Sequence, residues 1–251
     1  LALRRAHRLA DERIEGLLLA GAELGDDRGV GGEHVVHQLP DRAFVRDLHE
    51  ACKDIQVCVI SGDPQQTSSD YGTDAILWTD LPAIQKAVAE CSLVLLGGGG
   101  IFHDYWGFET GHTLTRNHSG ISYFYGITLL AKLLHKPLMI YAVGVGPLLS
   151  GEGKFFTRLS LENADLITVR DQESKQLLDR IGVSGKDIKV TADPAFGIAK
   201  LAELPARTRR GKNSPFILGV AVRSWDFQNW EPELSQALDE FAAKRGALIR
   251  F

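Results

Sequence analysis

The chain has 251 residues and a mass of 27.5 kDa, enough for one large domain or one and a half ordinary ones. Hydrophobic residues make up 44% and charged residues 24%, the balance of a soluble globular protein rather than a disordered or fibrous one. A net charge of −4 argues against a nucleic-acid binder held by bulk charge, so an anionic ligand has to be caught by a local pocket.

Short apolar runs alternate with helical patterns along the chain. Strands are expected at Leu17–Ala22, Gln56–Ser61, Ala75–Trp78, Leu93–Leu96, Leu138–Val143, Leu166–Val169 and Ile188–Thr191. Helices are expected near Glu33–Ala51, Leu81–Cys91, Ile121–Leu134, Phe155–Ala164 and Glu173–Ile181. Strand, crossover helix, strand is the pattern of a parallel sheet with helices on both faces, a Rossmann-like α/β domain over residues 1–199. The stretch from Lys200 to Pro215 loses apolar periodicity and gathers two prolines, with four basic residues between Arg207 and Lys212, as an exposed linker does. After it come a strand at Phe216–Val222, a helix at Pro232–Arg245 and a strand at Ala247–Phe251, the start of an incomplete second α/β domain over 216–251.

The longest apolar runs, Ser92–Leu96 and Pro137–Val145, fall well short of the roughly 20 residues of a transmembrane helix. No signal peptide is visible in the charged, helical segment Leu1–Gly16. Cys52, Cys58 and Cys91 are sparse and lie in apolar settings, which reads as free thiols in a reducing, cytoplasmic compartment.

In open α/β sheets, ligands sit outside the carboxyl ends of the strands. Three glycine loops have that position here. Gly97-Gly98-Gly99-Gly100 follows a strand and lets the backbone turn tightly and approach a ligand. It is neither a GxGxxG fingerprint, which would need glycine at Phe102, nor a phosphate loop ending in Gly-Lys-Ser/Thr. A second loop holds Gly144 and Gly146, and a third, Gly25–Glu33, follows the first strand. Arg170-Asp171 stands where a strand meets a helix: Asp171 can cap that helix with Arg170 paired to it, or Arg170 can offer a guanidinium fork to a carboxylate or phosphate. Asp193 ends the last strand of the domain and can cap, or accept from a sugar hydroxyl. Arg223 repeats the device in the second domain, opposite Arg170 if the two sheets face each other.

His103-Asp104 follows the glycine run, with His112 and His118 beyond. Their spacing offers no helix-face ligand pair, so no metal and no other cofactor is expected. The segment Phe102–His118, with Tyr105, Trp106 and Phe108, is either a sugar-stacking excursion or an aromatic cluster packed under a long loop.

Taken in order, GGGGIFHD, IYAVGVGPL, ITVRDQES, VTADPAF and GVAVRSW resemble the polysaccharide pyruvyl transferases, from about Ala75 to the C-terminus. The resemblance implies two Rossmann-like domains in a GT-B-type arrangement. It implies transfer of the enolpyruvyl carbons of phosphoenolpyruvate onto a sugar as a cyclic ketal, with release of phosphate. The family's second domain also carries a basic, His-containing motif that this chain does not reach, so the chain alone is expected to be inactive. The N-terminal run GDDRGVGGEHV departs from the family's usual glycine-rich opening, with Glu33 in the place of its acidic residue.

Such chemistry needs cations for the donor's carboxylate and phosphate, and a proton donor and acceptor near neutral pH. The candidates are Arg170 and Arg223 for the anions, and Asp193, Glu33 and His103 for the proton. Gly97, Gly98, Gly99, Gly100, Asp104, Gly144 and Gly146 are the expected lining of the substrate site. The acceptor would be a sugar or lipid-linked glycan, which places the enzyme in the cytoplasm near the inner membrane face. A nucleotide-sugar glycosyltransferase and a non-catalytic sugar-binding subunit are the alternatives that share the architecture.

Overall fold

The computed structural model describes residues 16–21, 45–46, 48–50, 55–105, 107–117, 120–196, 216–222 and 230–250. The chain divides into two compact units, Leu1–Glu203 and Leu204–Phe251. In the first, the strands are β1 (Gly16–Gly21), β2 (Gln56–Ser61), β3 (Asp74–Leu77), β4 (Leu93–Gly97), β5 (Gly100–Phe102), β6 (Leu138–Val145), β7 (Leu166–Val169) and β8 (Ile188–Val190). The helices are α1 (Pro64–Tyr71), α2 (Leu81–Glu90), α3 (Gly120–Leu133), α4 (Gly151–Asn163) and α5 (Gln172–Arg180), and residues 45–46 and 48–50 are also helical.

The sheet runs β3-β2-β1-β4-β6-β7-β8, with the short β5 beside β6, and all of its ladders are parallel. Chain order reverses between β1 and β4. This is the Rossmann-like arrangement, and its switch point puts the carboxyl end of β4 where such sheets bind ligands.

Alternation along the strands builds two cores. Val57 and Val59 of β2, Leu93 and Leu95 of β4, and Met139 of β6 pack with Val45 and Leu48 on one face. Ile60, Val94, Leu96, Leu138 and Ile140 pack on the other with Ile84, Phe124, Ile127, Leu161 and Leu178 from α2 to α5. Leu93–Leu96 is buried on both sides, which is why it reads as an unbroken apolar run. Burying one such leucine stabilises the fold by about 1.5–3 kcal/mol.

Helices α1 and α4 differ from the sequence expectation, and the short β5 stands where a loop is expected. Helix α1 (PQQTSSDY) buries only Thr67, so it has no apolar periodicity to detect. Its ends are nevertheless written in the chain: Asp63 accepts from the Gln66 N–H at 3.0 Å, Pro64 opens the first turn, and Gly72 closes it at φ 66°. Helix α4 begins at Gly151 rather than Phe155, because Ser150 caps it by accepting from the Gly153 N–H at 2.8 Å. Its two opening glycines are poor helix formers and mask that start.

Strand β6 carries an irregularity that shapes the site. Between Ile140 and Val143 its register against β7 shifts, and Ala142 adopts φ +49°. The buried Thr168 hydroxyl accepts the Ala142 N–H at 2.7 Å, so the departure leaves no orphaned donor. Below the shift β6 pairs with β4, as far as Tyr141 opposite Gly97; above it Gly144 faces Gly100 of β5.

The second unit holds β9 (Phe216–Gly219), α6 (Glu231–Arg245) and β10 (Ala247–Arg250). The strands pair in parallel, Phe216 opposite Ala247, with the helix as their crossover. Phe216 meets Phe241 of α6 at 5.9 Å between ring centres. Acidic Glu231 and Glu233 open α6, and Lys244 and Arg245 close it before Gly246 at φ 57°, each charge favourable to the helix dipole.

Candidate functional site

At the carboxyl end of β4 the glycine run folds the chain onto β6. A side chain at Gly97 would meet the Tyr141 carbonyl oxygen at 3.0 Å. Gly98 and Gly99 take φ of 83° and 56°, which swing the backbone across into β5. Several loop amides are spent on the sheet itself: Gly98 donates to Tyr141 (3.3 Å), Gly144 to the Gly99 carbonyl (2.8 Å) and Gly146 to Phe102 (2.7 Å). What these glycines provide is close approach of backbone to backbone, topped by an open spot, since nothing lies within 4 Å of a Cβ built on Gly98.

Into this bare patch β7 delivers Arg170. The Arg170 N–H donates to Val143 at 3.1 Å, so the residue continues the sheet, and its guanidinium lies across Gly144. Two carboxylates hold it. Asp193, from the end of β8, accepts from Nη1 at 3.0 Å, and Asp171 stands 3.5 Å from Nε. Both expected roles of Asp171 are realised: its Oδ1 also accepts the Ser174 N–H at 2.7 Å and caps α5. Partial burial would raise the Asp171 carboxyl, but the Ser174 hydrogen bonds and the Arg170 charge outweigh it and hold it below the ordinary carboxylate value.

All three side chains are about a third exposed (35% for Arg170, 39% for Asp171, 29% for Asp193). Ion pairs that exposed contribute about 0–1 kcal/mol each. Immobilising an arginine side chain forfeits up to about 2 kcal/mol of rotamer entropy. The cluster therefore does little for stability, and a fixed guanidinium at a sheet's ligand end is the arrangement that grips a carboxylate or phosphate.

His103 and Asp104 lie just beyond β5 and face a different task. Asp104 is only 3% exposed and accepts from the Leu149 N–H (2.6 Å), the Ser150 N–H (2.8 Å) and the Ser150 hydroxyl (2.5 Å). Burial opposes its charge, yet these hydrogen bonds win and keep the carboxyl below its ordinary value. It ties the β5 exit to the start of α4. His103, 4.6 Å from the Tyr105 ring, has its imidazole pulled below the ordinary value by burial, against the opposing pull of Asp104, and so is mainly neutral at pH 7.

Of the aromatic excursion, Phe108 stacks on Phe156 of α4 at 5.1 Å, and Phe156 meets Tyr125 of α3 at 5.0 Å. These rings make a cluster under the loop, while Trp106 and His118 lie outside the described residues. Glu33, the loop Gly25–Glu33 and Arg223 lie outside them too. The structure thus gathers Gly97–Gly100, Gly144, Arg170 and Asp193 into one place and sets Asp104 apart against α4. Ser174 joins them unannounced: it accepts the Val145 N–H at 2.9 Å, and its only mark in the sequence is a place three residues after the capping Asp171. Among the described residues, no group of three or more His, Cys, Asp or Glu is placed to hold a metal ion, and no helix is long and apolar enough to cross a membrane.

Among curated protein sequences none matches the chain. Among solved structures it is similar to one described as a UDP-N-acetylglucosamine 2-epimerase from Listeria monocytogenes, with a TM-score of 0.52 at 15% identity, over 95% of this chain. At that identity the likeness concerns the fold, and this chain spans 62% of the length of that one. The family model described as polysaccharide pyruvyl transferase matches residues 42–251, which include every strand from β2 to β10 and the whole Arg170 cluster. By that match the chain belongs to the polysaccharide pyruvyl transferase family.

Proposed function

We propose that the chain serves pyruvyl transfer from phosphoenolpyruvate to a pair of hydroxyls on a sugar of a cell-surface polysaccharide or its lipid-linked precursor. The observation that carries this reading is Arg170, held at the carboxyl end of the sheet over Gly144 and beside Gly100. In the reaction a proton adds to C3 of the enol and one sugar oxygen attacks C2. The second sugar oxygen then displaces phosphate, giving a ketal that bears the carboxylate. The two hydroxyl protons balance the step, one ending on the new methyl group and one on phosphate.

Arg170 meets the donor's carboxylate or phosphate and offsets the charge that builds on the leaving oxygen. The enzyme works in the cytoplasm at the inner membrane face, where a lipid-linked glycan is presented. The free thiols of Cys58 and Cys91 suit a reducing compartment.

The test is calorimetric titration of phosphoenolpyruvate into the full chain and into Arg170→Ala. Binding that the substitution abolishes supports the reading. Binding of a nucleotide sugar with indifference to phosphoenolpyruvate would replace it with glycosyl transfer.

A further inference from the structure

We propose that Asp171 and Asp193 are positioning residues for Arg170: they pin its guanidinium flat on Gly144 and aim Nη2 at the substrate's anionic group, a role that rests on the reading of Arg170 as the donor clamp. The two carboxylates leave adjacent strands, β7 and β8, and are built alike. Each is anchored through Oδ1 by a backbone N–H of the turn that follows its own strand, Ser174 at 2.7 Å for Asp171 and Ala195 at 2.9 Å for Asp193. Each turns Oδ2 to the arginine, at Nε (3.5 Å) and Nη1 (3.0 Å).

The arginine's backing is equally fixed. Ser174, whose backbone N–H donates to Asp171, accepts from Val145 of β6 through its hydroxyl. The neighbouring residue of β6, Gly144, is the floor under the guanidinium. One connected set of hydrogen bonds and ion pairs thus runs from β6 through Ser174 and Asp171 to Arg170 and on to Asp193. Two of the three guanidinium nitrogens face carboxylates. Among the described residues no hydrogen bond or ion pair uses Nη2, which lies 3.8 Å from where a Cβ on Gly100 would stand. A side chain tethered on two nitrogens swings less than a free one, so the geometry offered to an oxyanion is biased before it arrives, which is where positioning contributes to rate.

The proposal predicts that removing either carboxylate loosens an arginine that is chemically untouched. Asp193→Asn keeps an oxygen for the Ala195 N–H. Asp171→Ser keeps a good helix N-cap, so α5 survives, and removes the carboxylate oxygen that faces Nε. Two readouts apply to the full chain: the 15N–1H signal of the Arg170 side-chain Nε–H, assigned by its absence from Arg170→Lys, and phosphoenolpyruvate affinity by calorimetry. In the parent protein the Nε–H should exchange slowly with water. In both variants it should exchange fast, and affinity should fall roughly 10- to 100-fold.

If both variants keep the slow Nε–H and the parent affinity while Arg170→Ala abolishes binding, the positioning role is overturned and the donor clamp stands. If Arg170→Ala itself leaves phosphoenolpyruvate binding unchanged, the donor reading fails and the Nε–H signal decides alone. Its loss in the two variants then supports positioning, and its persistence overturns it.

Discussion

The guanidinium of Arg170 occupies the space a side chain on Gly144 would need. A Cβ built there would stand 2.6 Å from Cζ and Nε and 2.7 Å from Nη2, separations that atoms in contact do not tolerate. The contact is face-on, strand backbone against planar cation. It ties two positions 26 residues apart in sequence into a single device, because β6 and β7 are neighbours in the sheet.

Gly144→Ala is therefore expected to act like a lesion at Arg170. The methyl displaces the guanidinium from Asp171 and Asp193 while the sheet persists, so phosphoenolpyruvate affinity should fall about 100-fold with an unchanged circular dichroism spectrum. A parent-like affinity would show that the arginine binds equally well from elsewhere.

Asp104 should make stability depend on acid pH. Its native carboxyl titrates below the ordinary value of 3.8, so it contributes stability that is fully present above that value. That contribution is lost as pH falls through the lower native value. Asp104→Asn, which leaves Ser150 and Leu149 poorly served, should cost about 1–3 kcal/mol in urea unfolding at pH 7, and much less at pH 2. An equal cost at both pH values would refute the carboxylate's role.

Cys58 should be a sluggish thiol. Burial, then the nearby Asp74 and Cys91, push it up from 9.0 to about 11. At pH 8 its thiolate fraction drops from about a tenth to about a thousandth, and the thiolate is the nucleophile. Iodoacetamide labelling of Cys58, followed by peptide mass spectrometry, should accelerate about 100-fold when urea unfolds the chain.

His135 stands at φ +53° after α3, where its N–H meets the Lys132 carbonyl (3.2 Å) and the Lys136 N–H meets Ala131 (2.9 Å). That is the helix stop usually built on glycine. The left-handed conformation costs an L-residue about 1–2 kcal/mol. Glycine surrenders about 0.5–1 kcal/mol of chain entropy on folding. His135→Gly should accordingly stabilise by about 0.5–1 kcal/mol and raise Tm by roughly 1–4 °C. A lower Tm would mean that the exposed imidazole contributes more than its backbone costs.

The parallel α/β frame was legible in the chain because both periodicities are local. Leu93–Leu96 announces a strand buried on both faces, and the pattern Glu173–Ile181 announces a half-buried helix, which packs on β6, β7 and β8. The motifs around Gly97–Gly100, Gly144, Arg170 and Asp193 were legible too, each as a loop at a strand end. Polar α1 was not, since its only signals are the caps Asp63 and Gly72. Nor was the purpose of Gly144, whose missing side chain matters only when the neighbouring strand lays an arginine on it. Local chemistry chose the strands, helices and turns from residues a few positions apart. Which glycine lies under which guanidinium, and that Asp104 serves α4 while Asp193 serves Arg170, depends on strand order and on the register shift at Ala142. Those are set by packing between residues far apart in the chain, which no local pattern encodes.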